Sequence, residues 1–320
     1  MTTKPIHPLS LWLDTEKAGD GGPQHKVTPR LETKDLIRCI PYLAMHLTCF
    51  AALATGVSPV AVAVMAGSFL LRMFAITGFY HRYFSHRSFR TGRFWQFVFA
   101  FIGAASVQRG PIWWAAHHRF HHRHSDTEKD MHSPGRFGFL WSHTAWFMSH
   151  RHFGTRKALA KDWQAFPELV FLDRYDMLAP TIFALGLFGL GEWLAVTAPG
   201  LGTDGWQMLI WGFFISTVLL YHATFTINSL AHGWGSRRFA TRDDSRNNWF
   251  LALLTLGEGW HNNHHRYPVS TRQGFYWWEI DITWMLLRLL AVAGIVSDLK
   301  PVPASVLAEG VRQDAPGRNL

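Results

Sequence analysis

Two long stretches of the chain contain almost no charged side chains. Between Ile40 and Leu71 there is no Lys, Arg, Asp or Glu, and the turn-forming segment TGVSP at 55–59 divides this stretch. Between Met177 and His232 the charged side chains are Glu192 and Asp204, and the second break, APGLGTDG, covers 198–205. Each half is long enough to cross a bilayer as a helix, so the pattern predicts two transmembrane hairpins with spans at about 36–55, 58–79, 177–197 and 206–228.

Basic residues are unevenly distributed around these spans. The two short connections carry no Lys or Arg, whereas the N-terminal tail and the segments 82–174 and 237–300 are rich in both. By the positive-inside rule, both termini and the long central segment are expected in the cytosol. The apolar stretch 94–107 is only about 14 residues long, which favours an interfacial helix over a span.

The predicted fold is therefore an all-α integral membrane protein with four transmembrane helices in two hairpins and a helical cytosolic cap. The membrane domain is expected at 36–300, with the cap at 80–176 and 229–300. A cytosolic polar tail is expected at 1–35 and a C-terminal tail at 301–320. The first twenty residues contain no apolar h-region, so no cleaved signal peptide is expected.

Composition agrees with a membrane protein. The 320 residues are 48% hydrophobic and 17% charged, with 16 Trp and 25 Phe. The net charge of +9 follows from basic loops that face anionic lipid, so it does not call for a nucleic-acid partner. The two cysteines, Cys39 and Cys49, lie in the first apolar stretch without metal-type spacing. Any metal must have other ligands.

Histidine is the residue with the most informative spacing. The chain has 19 histidines, and eight of them form three boxes: HRYFSH at 81–86, HRFHH at 118–122 and HNNHH at 261–265. Positions i, i+3 and i+4 lie on one side of a helix, so boxes two and three are each expected to aim three imidazoles at a common point. The five-residue spacing of box one does not keep both rings on one face of an α-helix. We therefore expect His81 to end the second span and His86 to follow a local turn.

A ninth histidine, His232, lies in NSLAH at 228–232, where the fourth predicted span ends. All four motifs then meet at one membrane depth. Imidazole binds iron, zinc, copper and nickel, and nine ligands exceed what one ion accepts, so the pattern predicts two metal ions. A lone histidine is usually a surface or capping residue, but clustering at span ends argues against that reading here. Ligating imidazoles need partners for their other nitrogen, and the nearby carboxylates predicted for this role are Asp126, Asp130, Glu258 and Asp281. Surface salt bridges are the alternative role for Asp126 and Asp130.

The chain contains four motifs in the order HRYFSH, HRFHH, NSLAH and GEGWHNNHH. Over about Leu36 to Trp284 it closely resembles the acyl-CoA delta-9 (stearoyl-CoA) desaturase family of membrane di-iron enzymes. The resemblance implies four transmembrane helices beneath a cytosolic domain, two Fe²⁺ ions and O₂ as co-substrate. It also implies that Asn228 reaches a metal through water, and that the ligands are His81, His86, His118, His121, His122, His232, His261, His264 and His265.

The same resemblance implies a bent acyl tunnel below the metals, shaped here by Gln108, Trp114 and Thr224. Met73 lies eight residues before His81, about two helical turns, at a position where animal relatives carry alanine at the closed end of the tunnel. A methionine there would shorten the tunnel and favour palmitoyl length or shorter. Simple packing of Met73 against a neighbouring helix is the alternative.

One departure from the family concerns the acyl carrier. Animal relatives have Trp-Ala-Arg-Asp before box two, where the Arg and Asp help to hold CoA, whereas this chain has WAAH at 114–117. Acyl-CoA remains the expected substrate, with an acyl carrier protein or a phospholipid as the open alternatives. The haem-binding His-Pro-Gly-Gly signature of a fused cytochrome b5 domain does not occur, so a separate electron donor such as ferredoxin, cytochrome b5 or a reductase is expected. The expected location is a bacterial cytoplasmic membrane.

Removing hydrogen from an unactivated methylene requires an oxidant that side chains cannot supply and that iron with O₂ can. Together with this requirement, the family resemblance implies a desaturase that forms a cis double bond at delta-9. A membrane hydroxylase of alkane, sterol or carotenoid type uses similar histidine boxes and is the competing enzyme class. A metal transporter should carry polar ligands across the bilayer. The predicted spans contain His46 and His222 but no such chain of ligands.

Overall fold

Four helices of the structure are long and apolar enough to cross a membrane. The structure, a computed structural model, describes residues 13–18 and 26–314. The outer parts of the two predicted tails, residues 1–12, 19–25 and 315–320, lie outside the described residues. The prediction of an all-α membrane fold with two helical hairpins is confirmed. The spans are span 1 (Asp35–Thr55), span 2 (Pro59–Ser85), span 3 (Leu178–Thr197) and span 4 (Gly205–Ser229).

Polar caps fix the ends of the two hairpins. Ser58 accepts a hydrogen bond from the backbone N–H of Ala61, and Asp204 accepts one from the backbone N–H of Gln207. Both side chains satisfy amide groups that the first turn of a helix leaves unpaired. The side-chain amide of Gln207 also donates to the carbonyl oxygen of Thr55 at 3.0 Å. The two short connections are thereby joined at the end of the spans remote from the histidine boxes.

Span 2 ends six residues later than predicted, and its last part is not α-helical. An α-helix over Pro59–Phe74 continues as a π-helix over Ala75–Ser85, all eleven residues of which are buried. The N–H of His86 donates to the carbonyl of His81, five residues earlier, at 3.3 Å. The polar residues of box one suggested that the helix ends before this segment. Burial under the rest of the protein keeps this segment helical instead, because its backbone groups have no water to bond to.

The remaining helices form a cap, defined here as residues 86–177 and 230–314. A two-stranded antiparallel pair joins its two halves, with Arg90 opposite Ser297 and Thr91 opposite Val296. Short π and 3-10 segments occur at Trp141–Ala145, His150–His152 and Lys157–Leu159. The strands are β1 (Arg90–Thr91) and β2 (Val296–Ser297), and the cap helices are α1 (Arg93–Ala104), α2 (Pro111–His124), α3 (Pro134–Phe137), α4 (Trp146–Met148), α5 (Lys161–Gln164), α6 (Pro167–Arg174), α7 (Trp249–Leu254), α8 (His261–Arg266), α9 (Ile282–Val292) and α10 (Ala304–Asp314).

Three cap helices expose large apolar side chains around the ends of the spans. The exposed residues include Phe94 on α1, Trp249 and Phe250 on α7, and Leu289 and Val292 on α9. Exposed apolar helix faces of this kind pack against lipid at the membrane interface. The predicted interfacial helix at 94–107 corresponds to α1. The cap therefore contacts the membrane surface through α1, α7 and α9.

An aromatic core fixes the cap to span 2. Phe79 of the π-helix stacks on Phe99 of α1 with ring centroids 3.8 Å apart. The indole N–H of Trp163 donates to the carbonyl of Phe84 at 2.7 Å, and Leu287 of α9 is buried in the same cluster. The histidines of boxes one and two are thus held by a rigid, close-packed frame.

Gly259 allows the GEGW loop to approach α7 closely, and we expect Gly259→Ala to be strongly destabilising. A Cβ atom here would meet the backbone of Ala252 and would lie 2.5 Å from the carbonyl oxygen of Asn248. Backbone cannot move aside as a side chain can, so the expected loss is about 1–3 kcal/mol of unfolding free energy.

Thermal unfolding of the purified protein in detergent would measure this loss. Gly135→Ala is the matched control, because a Cβ atom at that position meets nothing within 4 Å. Equal unfolding temperatures for the two variants would contradict the predicted contact.

Candidate metal centre and acyl cavity

Five histidines from all three boxes converge at one point. Their Nε2 atoms form a chain of short contacts: 2.8 Å between His86 and His118, 2.9 Å between His118 and His122, 2.9 Å between His122 and His264, and 3.0 Å between His264 and His81. Nitrogens that are about 2.1 Å from a common ion and at right angles are about 3 Å apart. This set, the five-histidine cluster, has the dimensions of a metal site.

Four further histidines form a second point of convergence beside it. The four-histidine cluster consists of His121, His232, His261 and His265, whose ligand atoms lie within 4.8 Å of one another. The Nε2 atoms of His232 and His261 are 3.0 Å apart. All nine histidines singled out in the sequence are therefore brought together, in two sets of five and four.

The expectation that boxes two and three each aim at one point is wrong. In α2, His118 and His122 enter the five-histidine cluster and His121 enters the other. In α8 the division is reversed, with His264 in the five-histidine cluster and the pair His261 and His265 in the other. On an α-helix, i+3 and i+4 point about 100° apart, on opposite sides of residue i. Boxes two and three therefore each lie between the two clusters and contribute to both.

The expectation for box one is also wrong. His81 and His86 belong to the same cluster, with ring centroids 4.9 Å apart. The π-helix is the reason, because its five-residue hydrogen-bond repeat brings residues i and i+5 to the same side. The spacing that argued against a shared face in an α-helix is the spacing that a π-helix requires.

Carboxylates orient many of the ligating rings through Nδ1. Asp126 lies 2.8 Å from His232, Asp130 3.1 Å from His121 and Asp243 2.7 Å from His265, and Glu258 contacts His81. The predicted contacts of Asp126, Asp130 and Glu258 with these histidines are confirmed, and Asp130 is buried rather than at the surface. Asp281 instead pairs with Arg82, which also contacts Glu258. Asp281 was predicted to contact a histidine directly, but it acts through Arg82 and Glu258.

Sequence reasoning missed two polar residues of the site. Asp243 lies in a charged loop remote from every box, and only tertiary structure brings it to His265. Gln273 places its side-chain amide 3.2 Å from His81 Nδ1 and 3.1 Å from a carboxylate oxygen of Glu258. Neither residue has a spacing signal that could have identified it.

Electrostatics keep several ligands in the form that binds metal. Burial, with the charges of neighbouring histidines, holds the pKa of His118, His122, His261 and His264 well below the usual value. Burial also lowers the pKa of His265 to about 4, against the influence of Asp243. Neutral imidazole is the ligating form, so these rings need not release a proton to bind a cation near pH 7.

Hydrogen bonding in the four-histidine cluster fits a bound cation. His232 and His265 direct Nδ1 at carboxylates, so each neutral ring keeps its lone pair on Nε2. Nε2 of His265 is buried and has no hydrogen-bond partner in the described part of the chain. A metal ion in the cluster is the partner that would satisfy the lone pair of His265 Nε2, and it would also bind that of His232 Nε2, which here faces His261 Nε2.

A cavity of about 720 Å³ is lined by residues of span 1, span 2 and span 4 and reaches both clusters. This volume lies in the usual range for ligand pockets, about 300–1,000 Å³. Its walls are largely apolar, and they include His81 and His118 of one cluster and His121 and His261 of the other. We refer to it as the acyl cavity, after the tunnel that the family resemblance implies.

The predicted substrate-binding residues all line the acyl cavity. The Gln108 side chain donates to Thr224 Oγ1 at 2.9 Å, and Trp114 stacks on His118 with ring centroids 5.0 Å apart. Asn228 lines the cavity at the end of span 4. Met73 also lines it, fully buried, in a cluster with Leu220, Ala223 and Leu256.

The two residues that replace the family's CoA-binding pair face inwards. Ala116 is fully buried, and His117 is buried with its ring stacked on Trp113 at 4.1 Å. His117 Nδ1 lies 2.9 Å from the Trp113 carbonyl oxygen. Side chains held in this way are not available to a carrier at the surface.

Comparison with known proteins gives one family. Residues 57–294 match the fatty acid desaturase family. The chain is 39% identical over 236 residues to an sn-2 palmitoyl-lipid 9-desaturase of Nostoc sp., covering 72% of this chain and 78% of that protein. It is 36% identical over 268 residues to an sn-1 stearoyl-lipid 9-desaturase of Anabaena variabilis, covering 81% and 91%. It is 32% identical over 286 residues to an acyl-CoA 5-desaturase of Anemone leveillei, covering 85% and 81%.

Asp243→Asn should weaken metal retention without unfolding the protein. The neutral amide cannot strengthen the basicity of His265 as a carboxylate does, and loss of such a partner reduces metal affinity about 10- to 100-fold. Iron content of the purified protein, measured after dialysis against graded chelator concentrations, would report the change.

The neighbouring variant Asp244→Asn is the control. Asp244 is exposed, and its side chain lies 3.9 Å from Arg237 without contacting the clusters. Equal iron retention in the two variants would exclude a role for Asp243 in holding His265.

Proposed function

The chain belongs to the fatty acid desaturase family, and we propose that it is an O₂-dependent fatty acyl desaturase that forms a cis double bond at delta-9. The observation that carries this proposal is the acyl cavity, whose apolar walls end at both histidine clusters. The reaction takes two hydrogens from adjacent methylenes and consumes one O₂, two electrons and two protons. It releases two water molecules.

Desaturases of this family use iron, and the two clusters supply places for two Fe²⁺ ions. The five-histidine cluster would hold one ion, and the four-histidine cluster, with Asn228 through a water molecule, would hold the other. Bound iron supplies the O₂ activation that side chains cannot. The carboxylates behind His121, His232, His265 and His81 fix the ring orientations, which would keep the geometry in place while the substrate changes.

The protein's own contribution is to position the acyl chain. The hydrogen bond between Gln108 and Thr224 joins a cap loop to span 4 at the wall of the cavity. Val107 and Arg109, on either side of Gln108, adopt positive φ angles of 58° and 72°, so the loop is held in an unusual conformation that aims Gln108 inwards. A wall fixed in this way would bend the chain, present one pair of carbons to the clusters and favour the cis product.

We infer that the acyl chain is presented by a membrane glycerolipid. Span 1 contributes Ile40 and Ala44 to the cavity wall, and Ile40 is 50% exposed on the surface that faces lipid. The cavity is thus bordered by the bilayer, from which a lipid-linked chain could enter laterally. The buried Ala116 and His117, in place of a CoA-binding pair, and the lipid-linked substrates in the names of two relatives support the same carrier. Acyl-CoA, suggested by the motifs, is the competing carrier.

The distribution of basic residues supports a cytosolic cap and cytosolic termini. A separate redox protein, such as a ferredoxin, cytochrome b5 or reductase, would deliver the two electrons from that side. The proposed location is the cytoplasmic membrane of a bacterium.

Expression in a desaturase-deficient host should produce monounsaturated fatty acids. Gas chromatography and mass spectrometry of the methyl esters should show loss of two hydrogens and a cis bond at carbon 9. His264→Ala, which removes one imidazole but leaves every apolar span intact, should remain in the membrane without activity. A product that gains one oxygen would identify a hydroxylase, and full activity of His264→Ala would exclude the metal assignment.

Purified protein in liposomes would then separate the carriers. With a competent electron donor, labelled acyl glycerolipid should be desaturated and labelled acyl-CoA should not. Turnover of acyl-CoA alone would contradict lateral entry while leaving the desaturase assignment in place.

Met73→Ala should shift the chain-length preference from sixteen towards eighteen carbons. The methionine fills the wall of the acyl cavity, and its removal opens space for further methylenes. One methylene in an apolar pocket changes selectivity about tenfold, so the ratio of eighteen- to sixteen-carbon products should rise at least several-fold. Met208→Ala is the control, since Met208 is equally buried but does not line the cavity. An unchanged ratio for Met73→Ala would show that Met73 packs against neighbouring helices without setting the chain length.

A further inference from the structure

A second cavity, of about 630 Å³, lies in the cap between α9 and the chain that leads into α10. It shares no lining residue with the acyl cavity. Phe275, Trp284 and Leu299 form part of an apolar wall, and Arg272, Arg288 and Lys300 bring three cationic side chains to the same space. The cavity thus combines apolar surface with positive charge, the two properties needed to bind an anionic amphiphile.

The positive charge of this cavity is not neutralised from within. None of the described residues that line it is acidic. The carboxylates nearest along the chain have other partners: Asp298 pairs with Arg90, Glu309 with Arg266, Asp281 with Arg82 and Glu279 with Arg238. An anion entering the cavity would therefore meet no like charge in its walls.

Two of the cations are held in place by an aromatic ring. The guanidinium groups of Arg272 and Arg288 lie 4.7 Å and 5.0 Å from the ring centroid of Trp284. Arg272 donates to the carbonyl of Tyr276, but its Nε is buried and has no hydrogen-bond partner among the described residues. Lys300 Nζ donates one bond to the carbonyl of Arg87 at 2.7 Å and retains two further N–H groups. Unused donors therefore remain for a ligand's oxygens.

The position of the cavity favours a lipid. Met285, Leu289 and Val292 form an exposed apolar stripe on α9, with Leu289 64% and Val292 88% exposed. Thr283, near the start of α9, is 2.7 Å from Thr77 of span 2 through the two hydroxyl groups, which places this helix at the end of the span. The stripe belongs in the membrane interface, so the cavity beside it lies at the depth of phospholipid headgroups.

We propose that this cavity binds an anionic phospholipid, with the phosphate held by Arg272, Arg288 and Lys300 and the glycerol and upper acyl chain against Trp284 and Leu299. The ligand is an accessory lipid and not the substrate, because the cavity does not reach the histidine clusters. Its binding does not depend on the proposed desaturase activity.

The backbone links this lipid site to the five-histidine cluster. Arg272 is followed by Gln273, whose backbone N–H donates to Asp281 at 2.6 Å and whose side chain contacts Glu258 and His81. A lipid phosphate that fixes Arg272 would also restrict Gln273. We therefore expect anionic lipid to stabilise the outer contacts of His81.

The binding test uses the full-length protein in a neutral detergent and short-chain phosphatidylglycerol as the probe. Ligands that bind only the folded state stabilise it by RT ln(1 + [L]/Kd), so the rise in unfolding temperature with ligand concentration yields an affinity. Phosphatidylglycerol should stabilise the wild type at concentrations where phosphatidylcholine does not. Arg288→Gln combined with Lys300→Gln should weaken this affinity about 25-fold, from about fivefold for each cation.

Lys161→Gln is the matched control, because Lys161 is an exposed cation of the cap outside the cavity. If the double variant does not fold, Arg288→Gln alone should still give a fivefold loss, since Arg288 is exposed. Equal affinity in the wild type and either variant would overturn the proposal. Stabilisation by inorganic phosphate at the same concentration would show a simple anion site, and stabilisation by polyaspartate but not by phosphatidylglycerol would show a protein-docking site; either result would exclude the lipid.

Discussion

Nine imidazole rings converge in two small volumes at the end of the membrane spans, and a cation bound in each volume would relieve this crowding. Histidine nitrogens about 3 Å apart would repel one another if both were unprotonated, and burial disfavours protonating them. The surrounding carboxylates and helices hold the rings in these two volumes. Carboxylates take up the Nδ1 side of four rings, the π-helical end of span 2 supplies two rings to one cluster, and α2 and α8 divide their rings between the two clusters.

Sharing of boxes two and three between the clusters has a structural consequence. Neither metal position belongs to a single helix, so displacement of α2 or α8 would disturb both at once. The aromatic packing of Phe79 on Phe99 and the close approach of Gly259 to α7 therefore matter for the site, although none of these three residues belongs to the clusters. Precise sites generally depend on such support from packed secondary structure.

The sequence predicted the spans well because a bilayer imposes a simple requirement of length and apolarity. Span 1 and span 3 begin within one residue of the predicted positions. Span 2 was predicted to end at 79 because residues 81–86 look polar, and only the tertiary environment shows that this segment is buried and π-helical. The identity of the nine histidines came from spacing and resemblance. The sequence did not predict how these histidines are divided between the two clusters, because the division depends on how α2 and α8 pack against each other. Asp243 and Gln273 were missed for a related reason, since loop residues carry no periodic signal.

Charge balance connects the clusters with the proposed pair of ions. Within the described residues, four carboxylates contact cluster histidines: Asp126, Asp130, Asp243 and Glu258. Asp281 is offset by Arg82, which leaves four negative charges beside the rings. Uncompensated charge is costly in a buried site, so these four carboxylates favour four positive charges between the rings. Two divalent cations supply that charge with every imidazole neutral, whereas one divalent cation would leave two carboxylates to be balanced by protonated histidines. Burial opposes protonation of His121, but Asp130 outweighs it and raises the pKa of this ring. Burial holds the pKa of His118, His122, His261 and His264 well below the usual value, so a second protonated ring is harder to provide than a second ion.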